Sequence, residues 1–250
     1  MWRSTGRVWL LILLTGCAIT TPRVNIATWP AAKQAMYYRQ PAPYRVVVLP
    51  LQDKRPAQER TGRRPPAMYL VLWNRRVGDY YTGDHLFGDE VAAQLSRQLA
   101  DYLQAANTFT EVVYVPSPLQ DFELSERTSV QHMSQAHAAD YLLGGELQHF
   151  FGSQHQHFSM FVLPLYFIST FGWQDSKSLP WGQTTVQVYL HDGATGNLVW
   201  RQRFEVSRTL PRETDSMAVA ALESFATVAG EVTTELRQLP FDSLRTSVTE

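Results

Sequence analysis

The side chains whose types and spacing could do chemistry gather in one stretch of the chain. His149, His155 and His157 fall close together, and imidazoles two apart on an extended backbone point the same way, so with a third nearby they could form a zinc or copper face. No carboxylate lies between Glu146 and Asp175. Further ligands would have to come from afar, for example His191 or Asp192, and the plainer reading is of polar loop histidines with no metal. Asp53 and Asp192 could be imagined as a carboxylate pair, but Asp192-Gly193 reads first as a turn. No G-x-S-x-G, phosphate-binding loop, dinucleotide fingerprint or H-E-x-x-H occurs, so nothing points to an enzyme or to a bound cofactor. The single cysteine, Cys17, excludes an internal disulfide framework and a zinc site built on several thiolates.

The setting of Cys17 gives it another use. Arg3 and Arg7 precede the apolar run Val8 to Leu14, the charged and hydrophobic regions of a secretory signal. The run is far short of the roughly 20 apolar residues a membrane-spanning helix needs. Leu14-Thr15-Gly16-Cys17 resembles the bacterial lipobox, which implies a signal peptide over 1–16, cleavage before Cys17 and diacylation of its thiol. Acyl chains contribute about 0.8 kcal/mol per buried methylene, so two or three of them hold a protein on a membrane. In two-membrane bacteria an Asp after the cysteine often retains such proteins at the inner membrane. Here the residue is Ala18, so the resemblance implies the outer membrane, facing the periplasm.

The 250 residues carry 18% charged and 44% hydrophobic residues, with a formal net charge of -1. That composition suits one globular domain and excludes collagen, coiled coil and wholesale disorder. Losing residues 1–16 removes Arg3 and Arg7 and no carboxylate, which takes the net charge to -3. No basic excess argues for nucleic acid.

Elements to position these residues follow from patterning. The Thr/Pro/Ala-rich stretch 17–43 is expected to be a lipidated N-terminus and flexible tether. Residues 44–240 are expected to form one α/β domain, and 241–250 a tail. Tyr44 to Leu51 is β-branched without a polar face, as in a central strand covered on both sides. A helix is expected from Asp84, as N-cap, through Phe87, Val91, Leu95, Leu99 and Leu103. A strand over 108–115, a helix over 125–138 and a strand over 141–151 follow, with Gly144-Gly145 marking a bulge or a close backbone approach. This β-α-β-α-β order implies a mixed sheet with parallel pairing. A β-hairpin around Asp192 to Gly196 and a long amphipathic helix up to Pro240 complete it.

Two segments stand outside that scheme. The excursion 52–84 carries Lys54, Arg55, Arg63, Arg64, Arg75 and Arg76. It is a solvated surface loop with one added edge strand, or a docking surface for an acidic partner or anionic headgroups. The insertion 152–182 contains the apolar run 158–171, with Phe158, Phe161, Leu163, Tyr166 and Phe167, bordered by Trp173 and Trp181. Pro164 and its length exclude a spanning helix, and it does not alternate as a lipid-facing barrel strand does. It is a lid over one sheet face, a surface for partners or self-association, or a shallow membrane contact or lipid-binding mouth.

The lipobox, Val46-Val47-Val48-Leu49-Pro50-Leu51-Gln52-Asp53-Lys54-Arg55, Ala139-Asp140-Tyr141-Leu142-Leu143-Gly144-Gly145-Glu146-Leu147 and Asp192-Gly193-Ala194-Thr195-Gly196-Asn197-Leu198-Val199-Trp200 together carry a resemblance. The chain resembles envelope α/β proteins related to the TolB amino-terminal domain, CsgG-like lipoproteins and auxiliary lipoproteins of ABC-type transport. That resemblance implies a non-catalytic scaffold or accessory component at the outer membrane, held by acylated Cys17 and partnered by envelope proteins or by its own copies. The alternative is a carrier of lipid or another small hydrophobe, with 158–171 as a pocket wall.

Overall fold

The computed structural model describes residues 23–29, 35–64, 67–70, 73–76, 78–88, 90–116, 126–162, 171–213 and 215–241. Its elements run β1 (Ala42–Val48), β2 (Gln52–Asp53), α1 (Ala57–Thr61), β3 (Ala67–Leu70), β4 (Trp73–Arg76), β5 (Gly78–Tyr81), α2 (Val91–Ala105), β6 (Phe109–Tyr114), α3 (Arg127–His137), β7 (Tyr141–Val162), β8 (Phe171–Lys177), β9 (Trp181–Asp192), β10 (Leu198–Thr209) and α4 (Met217–Gln238).

The β-branched run at the start of the domain dictates the architecture. Val46, Val47 and Val48 are all buried, so β1 has no wet face and must be covered on both. Val46 and Val48 pack with Leu143, Val188 and Leu190 beneath Leu95, Leu99 and Leu103 of α2 and Leu222, Phe225 and Val232 of α4. On the other face Val47, Leu49 and Leu142 meet Val130 and Met133 of α3. β1 pairs in parallel with β6 and β7, and β9 and β10 add antiparallel strands, giving the order β10-β9-β7-β1-β6. The expected α/β fold with a mixed sheet, a hairpin after it and a closing C-terminal helix is what forms.

Glycine at Gly145 answers to a close approach: a Cβ there would lie 2.1 Å from the Gln187 carbonyl oxygen. The bulge in β7 falls instead between Leu147 and His149.

Three boundaries differ from expectation. The described part of the supposed flexible tether is docked: Val24 N–H donates to Leu86 O at 2.8 Å, Ile26 is 0% exposed, and Gln98 Nε2 donates to Ile26 O at 3.0 Å. Prolines exclude a long element there, but Val24, Ile26 and Trp29 give the segment enough apolar surface to pack. Asp84 does not cap a helix. It opens a 3-10 turn, and the helix begins at Val91 after Glu90 in the left-handed region at φ 54°. The apolar spacing of Phe87 and Val91 continues a helical period that the backbone at Gly88, φ 98°, interrupts. Finally, Phe241 belongs to the core and not to a tail, its ring 5.1 Å from Tyr44 and 5.2 Å from Tyr141.

Candidate functional site

The insertion is a continuation of the sheet. β7 runs 22 residues, and its outer part pairs with β8 from Gln156↔Lys177 to Val162↔Phe171. Its inner part pairs with β9 from Tyr141↔Asp192 to Ser153↔Trp181. β8 and β9 therefore form one return path interrupted at 178–180, where Ser178 N–H donates to His155 O and Gln154 Nε2 to Ser178 O. In the described residues the segment prolongs the sheet instead of folding over a face as a lid.

Register also reveals an alternation that a straight reading of 158–171 misses, because that run crosses from one strand to the next. By strand alternation Phe158, Met160 and Val162 fall on one face with their register opposites Asp175, Trp173 and Phe171, and His157, Ser159 and Phe161 on the other with Ser176, Gln174 and Gly172. Leu163, Tyr166 and Phe167 lie outside the described residues. Trp181 sits at the hairpin's base, its ring 5.4 Å from Phe151.

The excursion 52–81 is bound to β7 at several points. β2 pairs with Glu146 and Leu147, and β5 pairs antiparallel from Gly78↔Gln156 to Tyr81↔Ser153. Two of the three conspicuous histidines serve this attachment. His149 Nδ1 lies 2.7 Å from Glu59 Oε1, whose other oxygen accepts from Phe150 N–H at 3.2 Å. His155 Nδ1 lies 2.7 Å from Asp79 Oδ1. The carboxylates come from the excursion, distant in sequence, and each occupies one ring nitrogen. His157 stands opposite Ser176. Among the described residues no three His, Cys, Asp or Glu side chains meet to hold a metal ion.

The basic set of the excursion divides. Lys54, Arg63 and Arg64 are exposed, and Arg75 and Arg76 lie on β4, which pairs with β3 in a separate two-stranded sheet. Arg55 is not a docking residue: it is 4% exposed and its guanidinium is consumed internally. Nε and Nη2 donate to Asp53 at 3.0 and 2.7 Å, and Nη1 and Nη2 donate to Asp84 at 2.8 and 3.1 Å. Burial pushes the Asp53 carboxyl up, but the Arg55 hydrogen bonds and charge outweigh it and hold the group below its usual range.

Asp192 makes the expected turn, its Oδ1 accepting from Thr195 N–H at 2.7 Å. It faces Tyr141 while Asp53 faces Leu147, about 20 Å apart along β7, so the two carboxylates share no site. Asp140 accepts from Arg45 N–H at 2.9 Å, and its carbonyl accepts from Gly193 N–H at 2.8 Å. The sequence motifs at 139–147 and 192–200 thus meet as a structural joint. A groove of about 670 Å³ between β10 and α4 is open and rimmed by Arg203, Glu205, Arg208 and Glu231. No helix among the described residues is long and apolar enough to cross a membrane.

His191, 7% exposed on β9, is the buried titratable group that pH should reveal. Burial pushes its pKa below 6.5, partly offset by the Gly196 carbonyl. As pH falls through about 6.5 the unfolded chain takes the proton first, so stability declines until the lower folded value is passed. The urea midpoint should fall between about pH 7.5 and pH 5.5, and His191→Gln should flatten that slope. An unchanged slope in the variant would exclude His191 as its source.

No protein-family model matches the chain and no curated protein matches it. Solved structures are similar at low identity. XCC0632 from Xanthomonas campestris is 11% identical with a TM-score of 0.44, over 80% of this chain and 88% of that one. The PelC dodecamer from Paraburkholderia phytofirmans is 12% identical with a TM-score of 0.38, over 77% and 93%. The lipoprotein GNA1162 from Neisseria meningitidis is 9% identical with a TM-score of 0.35, over 77% and 99%. Likeness at this level says nothing of what this chain does.

Proposed function

We propose that the chain is a lipid-anchored accessory or scaffold protein of the bacterial envelope, non-catalytic, held at the outer membrane by acylated Cys17 and facing the periplasm. The observation that carries this reading is the lone cysteine at the end of Leu14-Thr15-Gly16-Cys17, behind a short apolar run and two arginines. Ala18 in place of Asp favours the outer membrane. The strand-and-turn motifs shared with TolB-domain, CsgG-like and ABC-type auxiliary lipoproteins support a scaffold among envelope partners or its own copies.

The docked segment adds a constraint. Six residues separate Cys17 from Val24, and the seven steps of a fully extended chain reach at most about 25 Å. An acylated Cys17 therefore keeps the domain close to the bilayer. Exposed Lys54, Arg63 and Arg64 would then stand near headgroups or near a neighbour on the same membrane.

The test is affinity purification of the full-length protein from membranes in mild detergent, with intact mass of the product and identification of what accompanies it. The expected product begins at Cys17, carries acyl mass, and comes with a defined set of envelope proteins or as a homo-oligomer. A product retaining residues 1–16 without acyl mass overturns the anchor. An acylated monomer accompanied only by lipid overturns the scaffold in favour of a carrier.

A further inference from the structure

We propose that the outer end of the β7–β8 hairpin dips into the bilayer that holds the Cys17 acyl chains, giving the protein a second, shallow membrane contact made by the polypeptide itself. The inference rests on the acylation of Cys17 proposed above and adds a surface that acylation does not supply.

The first ground is how apolarity is distributed. At the inner end of the hairpin the register pairs are Gln156↔Lys177, His157↔Ser176, Phe158↔Asp175 and Ser159↔Gln174, each with at least one polar or charged member. At the outer end they are Met160↔Trp173, Phe161↔Gly172 and Val162↔Phe171, with none. Both faces lose their polarity together, so apolarity follows distance along the hairpin and not one side of it. A strand pair docking sideways on a protein needs one apolar face along its length. A tip entering a membrane needs polar residues first and apolar ones beyond, with a Trp near the boundary.

The second ground is reach. Val24 is hydrogen-bonded to Leu86, and Phe87 packs on Phe150 with ring centroids 4.9 Å apart, so the docked residues nearest the anchor lie level with the middle of β7. From Phe150 the strand advances twelve residues to Val162, about 40 Å. The stretch from Cys17 to Val24 reaches no more than about 25 Å. The outer part of β7 is longer than the anchor's reach, so in the proposed orientation, with β7 directed at the bilayer, the end of the hairpin lies within the membrane.

The depth is limited by the backbone. Among the described residues nothing pairs with the outer edge of β7 beyond Gln156 or with the outer edge of β8. Unpaired backbone groups are not tolerated in the hydrocarbon core unless strands close into a barrel. One copy therefore stops at the headgroup and upper acyl region.

The full-length acylated protein in phosphatidylethanolamine and phosphatidylglycerol vesicles tests this, with phosphatidylcholine brominated either near the headgroup or near the chain ends as quencher of tryptophan emission. Quenching by the shallow bromine should exceed that by the deep one. Trp173→Phe should lose most of it, while Trp200→Phe on β10 keeps it. Shallow quenching that persists in Trp173→Phe overturns the proposal. Stronger quenching by the deep bromine, with release of an entrapped dye, overturns the shallow contact in favour of a barrel closed by several copies. Intact mass on the same samples separates the two readings. If Cys17 carries no acyl group the anchor fails, and flotation of that protein with the vesicles decides the hairpin alone. Binding lost in Met160→Asp with Val162→Asp sustains the contact, and binding that is absent or unchanged overturns it.

Discussion

Arg55→Met should destabilise the protein by about 2–4 kcal/mol, one of the largest effects of any single side-chain truncation in the chain. The guanidinium is 1% exposed at the side chain and makes charge-assisted hydrogen bonds with Asp53 and Asp84, whose own side chains are 28% and 32% exposed. Removing it takes away the cation bonded to both carboxylates, leaving Asp53 only the more distant charge of Arg60, and their partial exposure keeps the cost below that of a fully buried orphaned charge. Arg55→Lys should recover little, since an ammonium cannot present the planar fork that engages two carboxylates at once. Combining Arg55→Met with Asp53→Asn and Asp84→Asn should recover much of the loss, because the repulsion goes with the charges. The penalty should also shrink in acid. Asp53 is held below 3.8 in the fold, so its contribution is present above that value and is lost as pH falls through the lower folded value. Urea midpoints of the set, at neutral pH and in acid, decide this; a triple variant no more stable than Arg55→Met would show that like-charge repulsion is not the source.

The triad also links stability to attachment. Asp84 opens the 3-10 turn whose last residue, Leu86, accepts from Val24 N–H. Arg55 thereby ties β2, the turn and the docked N-terminal segment to one another, although its sequence surroundings resemble those of the solvated arginines at 63 and 64.

That disguise shows where sequence reading stops. The period of Met217, Ala221, Phe225, Val228 and Val232 is local, so α4 was legible to within a residue or two, β1 to within three, and the turn at 192–196 was legible from its residues. The pairing of Arg55 with Asp84, 29 positions away, has no local signature and depends on the chain's return. The same holds for Glu59 with His149, 90 positions apart, so histidines that suggest a metal face prove to be fasteners. Ile26 was hidden by composition: a segment rich in Thr, Pro and Ala reads as tether, and one side chain 0% exposed decides otherwise. In the hairpin the faces are set by which strand opposes which, so its polarity gradient exists only once the register is known.

Gly152→Ala and Gly182→Ala should each cost about 3 kcal/mol, and the two together little more than either alone. The glycines are opposed in the β7–β9 register, and the first turn of α4 lies directly against them. A Cβ on Gly152 would meet Met217 O at 1.9 Å, and one on Gly182 would meet Ala220 C and O at 2.2 Å. Those are backbone atoms, which cannot swing aside as a side-chain end can, so the helix must lift from the sheet. Lifting costs contacts of Ala218, Ala220, Ala221 and Leu222, all buried. A helix already raised for one methyl has room for the other, which is why the penalties should not add. Gly230→Ala supplies the contrast on the same helix: its new Cβ would meet only Tyr102, the hydroxyl at 3.1 Å. A tyrosine hydroxyl can yield, and alanine favours a helix interior over glycine by up to about 1 kcal/mol. That variant should be neutral or stabilising. Urea unfolding of the four proteins tests the set, and additive losses at 152 and 182 would mean that each methyl is accommodated separately, with the helix left in place.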